Sequence, residues 1–199
     1  MRWVALAVIV ASACGRVGFA PRGGTGDGGG GGEAGVPDGG DATVCETPVE
    51  MQHPDEGAQH QDGGVIDWTS NPPTSGTHYP EWAHWNRVYA EVIPRGYWVH
   101  NLEHGGIVFT YNCPTGCPDD VARLTALLAS LPADVDCAGL VHRALVTPDP
   151  DLPAGVRFAA SGWLFSWTSN CVDEAALTSF YTRHFAMGPE VNCGDGSYP

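Results

Sequence analysis

Seven cysteines, spread unevenly along 199 residues, set the first limits on what this chain can fold into. The first, Cys14, follows the small-residue triplet Ala11-Ser12-Ala13. Ahead of that triplet, Arg2 gives a short positive region and Trp3–Val10 an apolar one, the layout of an export signal. The apolar stretch is too short to span a bilayer, which needs about twenty residues. A small triplet followed by cysteine reads as a lipobox, with Ala11 where leucine is preferred. Residues 1–13 are therefore expected to be a lipoprotein-type signal peptide and Cys14 the lipidated N-terminus. Ordinary signal-peptidase cleavage at the same triplet is the alternative, and export follows from both. The other six, Cys45, Cys113, Cys117, Cys137, Cys171 and Cys193, are an even set bound for an oxidising compartment and are expected to form three disulfides. Fifteen pairings are possible, and the sequence does not choose among them. Cys113 and Cys117 also have the spacing of half a zinc site, but no second close thiol pair accompanies them.

Between Cys14 and Val44 the chain is glycine-rich, with too little apolar surface to order itself, and is expected to be a flexible tether. Residues 45–199 remain as a single globular domain, long enough for one core. That region carries nineteen acidic residues against six arginines, a net of −13. Such a surface repels nucleic acid and anionic headgroups. The expected partner is accordingly a bacterial membrane, reached through the lipid, on the periplasmic side or at the cell surface. Nothing in the chain specifies a protein partner. Every basic residue is arginine, which excludes Schiff-base chemistry on lysine.

Hydrophobic periodicity outlines the domain. Cys45–Asp62 reads as coil and Val65–Trp68 as a short strand. Asn71–Pro80 reads as a loop stiffened by its prolines and carrying His78. Trp82, Trp85 and Tyr89 recur at roughly helical spacing as core aromatics. Strands are expected near Tyr97–Val99, Gly106–Tyr111, Leu140–Val146 and Val156–Trp167, the last interrupted at Ser161-Gly162. Pro118–Leu131 shows one apolar stripe behind a proline and two aspartates and predicts a helix. Val172–Phe185 predicts another, with Asn170 as its cap. The fold class expected is α+β, a small and mainly antiparallel sheet with two packed helices, stapled by disulfides.

The densest chemistry lies in His100-Asn101-Leu102-Glu103-His104-Gly105-Gly106. On a strand, His100 and His104 would lie about 13 Å apart, too far to share an ion. On a helical turn, residues four apart are neighbours, with Cβ atoms about 5–6 Å apart. The two histidines can act together only if this stretch is a turn, which Gly105-Gly106 can end. The pattern also fits H-x-x-E-H, in which two histidines bind zinc and the glutamate is a general base. A Ser75–His78 nucleophile pair and an inert hydrogen-bond network, with Arg95 or Arg143 pairing Glu103, are the metal-free readings.

Asn71-Pro72-Pro73-Thr74-Ser75-Gly76, then His78-Tyr79-Pro80, and then the His100–Gly106 stretch leading to Tyr111 resemble an exported bacterial family, domain of unknown function 3105. The resemblance runs from about His60 to Tyr111 and more loosely over Leu140–Glu190, where Trp163 and Gly188-Pro189-Glu190 match weaker motifs. His60 corresponds to a histidine ahead of the Asn-Pro-Pro loop. The resemblance implies an exported or membrane-anchored setting and no established activity.

Imidazole suits copper, zinc, iron and nickel, and with the thiols oxidised methionine is the remaining soft ligand. The expected ligands are His78, His100 and His104, then His60, with Met187 as a long axial ligand; copper is favoured over zinc. Glu103 is expected to be a ligand, an orienting partner or a general base. Three functions follow from this set. The first is a membrane-anchored copper site for metal handling or a redox step. The second is a zinc hydrolase with Glu103 as base. The third is a non-catalytic surface module with structural histidines.

Overall fold

Ile107-Val108-Phe109-Thr110-Tyr111 is apolar almost throughout because both of its faces are covered. In the computed structural model, which describes residues 44–198, this run is the strand β3 (Ile107–Tyr111) near the middle of a six-stranded sheet. The expected signal peptide, lipidation at Cys14 and tether fall on residues outside the described ones. The other strands are β1 (Val49–Gln52), β2 (Arg87–Val88), β4 (Ala144–Pro148), β5 (Phe158–Gly162) and β6 (Phe165–Ser169). The spatial order is β1-β6-β5-β3-β4-β2. The first three pairings in that order are antiparallel, and β3–β4 and β4–β2 are parallel. The fold is α+β with a mostly antiparallel sheet.

Alternation along the strands sends side chains to two cores. Ile107, Phe109, Ala144, Val146, Phe158, Ala160 and Trp167 face one way, against the helices α2 (Pro118–Ser130) and α3 (Glu174–His184). Val108 and Leu145 face the other way, against Trp98, Val99 and Leu102 of a third helix, α1 (Arg95–Glu103). Helix α1 carries the chemistry-dense stretch and presses it onto the sheet.

Several sequence expectations are corrected here. Tyr97–Val99 is helical rather than extended. Helix α1 is buried nearly all round, at Gly96 and from Trp98 to Glu103, so it has no polar face and no helical period to read. Val65–Trp68 forms no strand, whereas Val49–Gln52, in the expected coil, pairs with β6. The Trp82–Tyr89 aromatics lie on extended and looped chain ending in β2, not on a helix. The expected Leu140–Val146 strand begins only at Ala144. Asp173, not Asn170, caps α3 by accepting from the Ala176 N–H at 2.9 Å. Asn170 instead ties down the first described residues, accepting from Glu46 N and donating to the Val44 carbonyl, each at 2.9 Å.

The six cysteines form three disulfides, Cys45–Cys171, Cys113–Cys117 and Cys137–Cys193. The second of these disposes of the half-zinc-site reading. Among the described residues, no helix is long and apolar enough to cross a membrane.

Candidate metal centre

The site is assembled by two backbone devices. The segment at His60 runs beside the Asn71–Pro80 loop, where Gln61 N donates to the His78 carbonyl at 2.8 Å and His78 N to the Gln59 carbonyl at 2.9 Å. This pairing sets His60 next to His78. Helix α1 then brings His100 and Glu103, three residues apart on one face, up against that pair. Asn101 fixes the helix laterally, its amide bonding both the N–H and the carbonyl of Ala83, at 3.0 and 2.8 Å.

Three imidazoles converge on one carboxylate oxygen. Glu103 Oε2 lies 3.1 Å from His78 Nε2, 3.5 Å from His100 Nε2 and 3.6 Å from His60 Nε2. One donor atom from each of the four residues falls within 4.8 Å of every other. His78, His100 and Glu103 are buried, whereas the His60 side chain is 49% exposed and opens the cluster to solvent.

The far ring nitrogens explain the orientation. His78 Nδ1 donates to the Gly76 carbonyl at 2.8 Å, and His100 Nδ1 donates to the Tyr79 carbonyl at 2.7 Å. In a neutral imidazole only one nitrogen carries a proton, so each Nε2 directs a lone pair at Glu103. Burial holds His78 below its ordinary value and pushes His100 down to about 3, the neighbouring imidazoles adding to the effect at His100. Burial thus favours the neutral form of both rings, which, with each Nδ1 proton on a backbone carbonyl, turn their Nε2 lone pairs toward the Glu103 carboxylate. Cation ligation resolves that arrangement, and a backbone carbonyl on the far nitrogen is the usual way a ligating histidine is oriented. Ligands 2.0–2.1 Å from a tetrahedral ion stand about 3.3 Å apart, close to the spacings around Oε2. These histidine and glutamate groups have the geometry to hold a metal ion.

Two contacts of the metal-free readings do not form, although His78 Nε2 and Glu103 Oε2 lie within hydrogen-bonding range at 3.1 Å. Arg95 pairs with Asp149 at 2.8 Å and Arg143 with Asp134 at 2.6 Å, so neither neutralises Glu103. Ser75 Oγ accepts from Glu56 N at 3.0 Å, and both nitrogens of His78 are directed elsewhere, so no Ser–His pair forms.

The remaining expected ligands are placed differently. His104 is the residue after α1, and its ring lies 4.6 Å from that of His100, but its donor groups with Glu103 and Glu190 rather than with the other histidines. Met187 sits on the loop after α3, its side chain half exposed. Glu190 was not among the expected ligands, although the Gly188-Pro189-Glu190 motif pointed to its segment. The sequence places Trp82 in the core, and its ring packs against both His100 and His104, with centroids at 4.9 and 4.7 Å.

Glycine closes the site from below. Gly105, at φ +76°, turns the chain out of α1. Gly188 lies against that turn so closely that a Cβ would collide with the Glu103 carbonyl and the Gly105 nitrogen, both backbone atoms. Gly188→Ala is expected to lower the unfolding free energy by about 1–3 kcal/mol through overpacking. Urea unfolding checks this, and an unchanged midpoint would show that the turn yields freely.

No curated protein and no solved structure matches the chain. A family model does, over residues 59–195, which include all four converging residues together with His104 and Glu190. The chain belongs to the family described as protein of unknown function DUF3105.

Proposed function

We propose that this is an exported, lipid-anchored domain that binds a divalent transition ion, copper in preference to zinc, through His60, His78, His100 and Glu103, and that it serves metal handling. The observation that carries the reading is the convergence of the Nε2 atoms of His60, His78 and His100 on one carboxylate oxygen of Glu103, while Arg95 and Arg143 pair with other carboxylates. Imidazole and carboxylate without thiolate favour a divalent ion, and the affinity order of such ions places copper(II) above zinc. Four protein donors make a closed set, the pattern of a holding site rather than a catalytic one. Glu103 at the fourth vertex is a ligand and is not free to act as a general base, which weighs against the zinc-hydrolase reading. The half-exposed His60 gives the ion a route in and out, as metal handling requires. The anchor rests on the Ala11-Ser12-Ala13-Cys14 sequence, and the acidic charge excess of residues 45–199 fits attachment by lipid rather than by a basic patch.

Elemental analysis of the purified full chain, loaded with copper(II) and zinc(II) in competition and then dialysed, tests the reading. The expected result is copper retained in the four-donor set, with the affinity of that set reduced at least about 100-fold in His78→Ala and in His100→Ala. Zinc retained over copper would change the ion and leave the ligands in place. Unchanged binding in both variants, with the fold intact by circular dichroism, would overturn the site.

A further inference from the structure

A second feature lies beside this cluster and is not used by it. His104 is 1% exposed, and neither of its ring nitrogens has a hydrogen-bond partner. His78 and His100 each satisfy Nδ1 on a backbone carbonyl; His104 satisfies nothing. Leaving a buried polar group without a partner costs about 1–3 kcal/mol, so an imidazole in this state is expected to have an occupant that completes it. The ring has little freedom to turn elsewhere, because Trp82 packs edge-on against it at 4.7 Å and His100 lies at 4.6 Å.

What His104 faces is acidic. Its Nδ1 is 3.6 Å from Glu190 Oε2, beyond hydrogen-bonding range but close to the about 3.3 Å between two donors on one ion. Donor atoms of Glu103, His104 and Glu190 all lie within 4.8 Å of one another. Glu190 is held in place by its backbone, its N–H donating to the Glu103 carbonyl at 3.2 Å, while its carboxylate stays exposed. Glu103 belongs to both groups, and a carboxylate has two oxygens with about four acceptor sites between them.

We infer that Glu103, His104 and Glu190 form a second divalent-cation position, sharing Glu103 with the first. The inference rests on the metal-binding reading of the His60–His78–His100–Glu103 cluster. With two carboxylates and one imidazole the second position is the harder of the two and suits an oxygen-preferring ion such as manganese as well as zinc or copper. Three protein donors leave room for water or an external ligand, unlike the first set. Carboxylate-sharing pairs hold their ions about 3.5–4 Å apart. The inference also gives the Gly188-Pro189-Glu190 segment a chemical purpose, since Gly188 permits the close approach that brings Glu190 to the end of α1.

The test is titration of the full chain with copper(II), read by bound metal and by electron paramagnetic resonance. Glu190→Gln is the informative variant because the side chain is exposed and its loss does not threaten the core. The wild type is expected to take up two ions and, when full, to show the half-field signal of two coupled copper(II) centres. Glu190→Gln is expected to keep the first ion, lose the second and lose the half-field signal. A wild type that saturates at one ion, or a Glu190→Gln protein that still takes up two, overturns the second position and leaves the first standing. A wild type that binds none overturns both.

Discussion

Replacing Arg143 by methionine is expected to lower the unfolding free energy by about 3–5 kcal/mol, the cost of breaking a fully buried ion pair. Arg143 and Asp134 both have wholly buried side chains, and Arg143 Nε donates to Asp134 Oδ2 at 2.6 Å. The carboxylate is tied further, its Oδ1 accepting from Asp136 N at 3.0 Å and Cys137 N at 3.2 Å. The guanidinium also donates to the His104 carbonyl and lies over the Phe185 ring at 4.9 Å. Removing the cation leaves an uncompensated charge in the core and frees the end of α1. The double variant Arg143→Met/Asp134→Leu is expected to recover part of the loss, because it removes the stranded charge. Urea unfolding at pH 7 decides the matter. A single variant as stable as the wild type, or a double variant no better than the single, would show that the pair contributes little.

Loss of the Cys45–Cys171 disulfide is expected to cost a comparable amount, within the about 2–5 kcal/mol typical of native bridges in small domains. In the chain-entropy account the cost grows with the loop that the bridge closes. Cys45–Cys171 closes a separation of 126 residues, Cys137–Cys193 one of 56 and Cys113–Cys117 one of 4. The same account gives about 5 kcal/mol for the longest and about 2 kcal/mol for the shortest. Three double Cys→Ala variants, compared by thermal unfolding, should rank in that order. The reverse ranking would mean that local strain, not loop closure, governs these bridges. The Cys45–Cys171 bridge also pins the start of the domain to the stretch between β6 and α3, beside the Asn170 contacts to Val44 and Glu46.

Much of the fold is legible in the sequence where periodicity is one-sided. Leu124, Leu127 and Leu128 mark the buried stripe of α2, and Leu177, Phe180 and Tyr181 that of α3. Helix α1 is hidden for a physical reason: Trp98, Val99 and Leu102 meet the sheet while His100 and Glu103 meet His60 and His78, so both faces are buried. Without a solvent face the run Tyr97-Trp98-Val99 carries only the β preference of its residue types. His100 and His104 can act together only on a helical turn, and the turn is present. Spacing places residues three and four apart on the same side of a helix, and the cluster uses the i, i+3 pair, His100 and Glu103, leaving His104 to Glu190. No local pattern distinguishes those choices, because they depend on where the His60 segment and the Glu190 loop pack. The disulfide pairing was closed to the sequence for the same reason, since it is a property of the tertiary arrangement.

The uneven exposure of the four donors has a kinetic consequence. The ion proposed for this site would be gripped firmly on three sides by buried His78, His100 and Glu103 and loosely on the fourth by the half-exposed His60. On that proposal its exchange rate would be set by the swing of one surface side chain rather than by unfolding of a cage. An incoming donor from an acceptor molecule can replace the His60 bond while the other three still hold. The ion would pass by stepwise ligand substitution and never be free in the surrounding water, so tight binding and rapid delivery need not oppose each other.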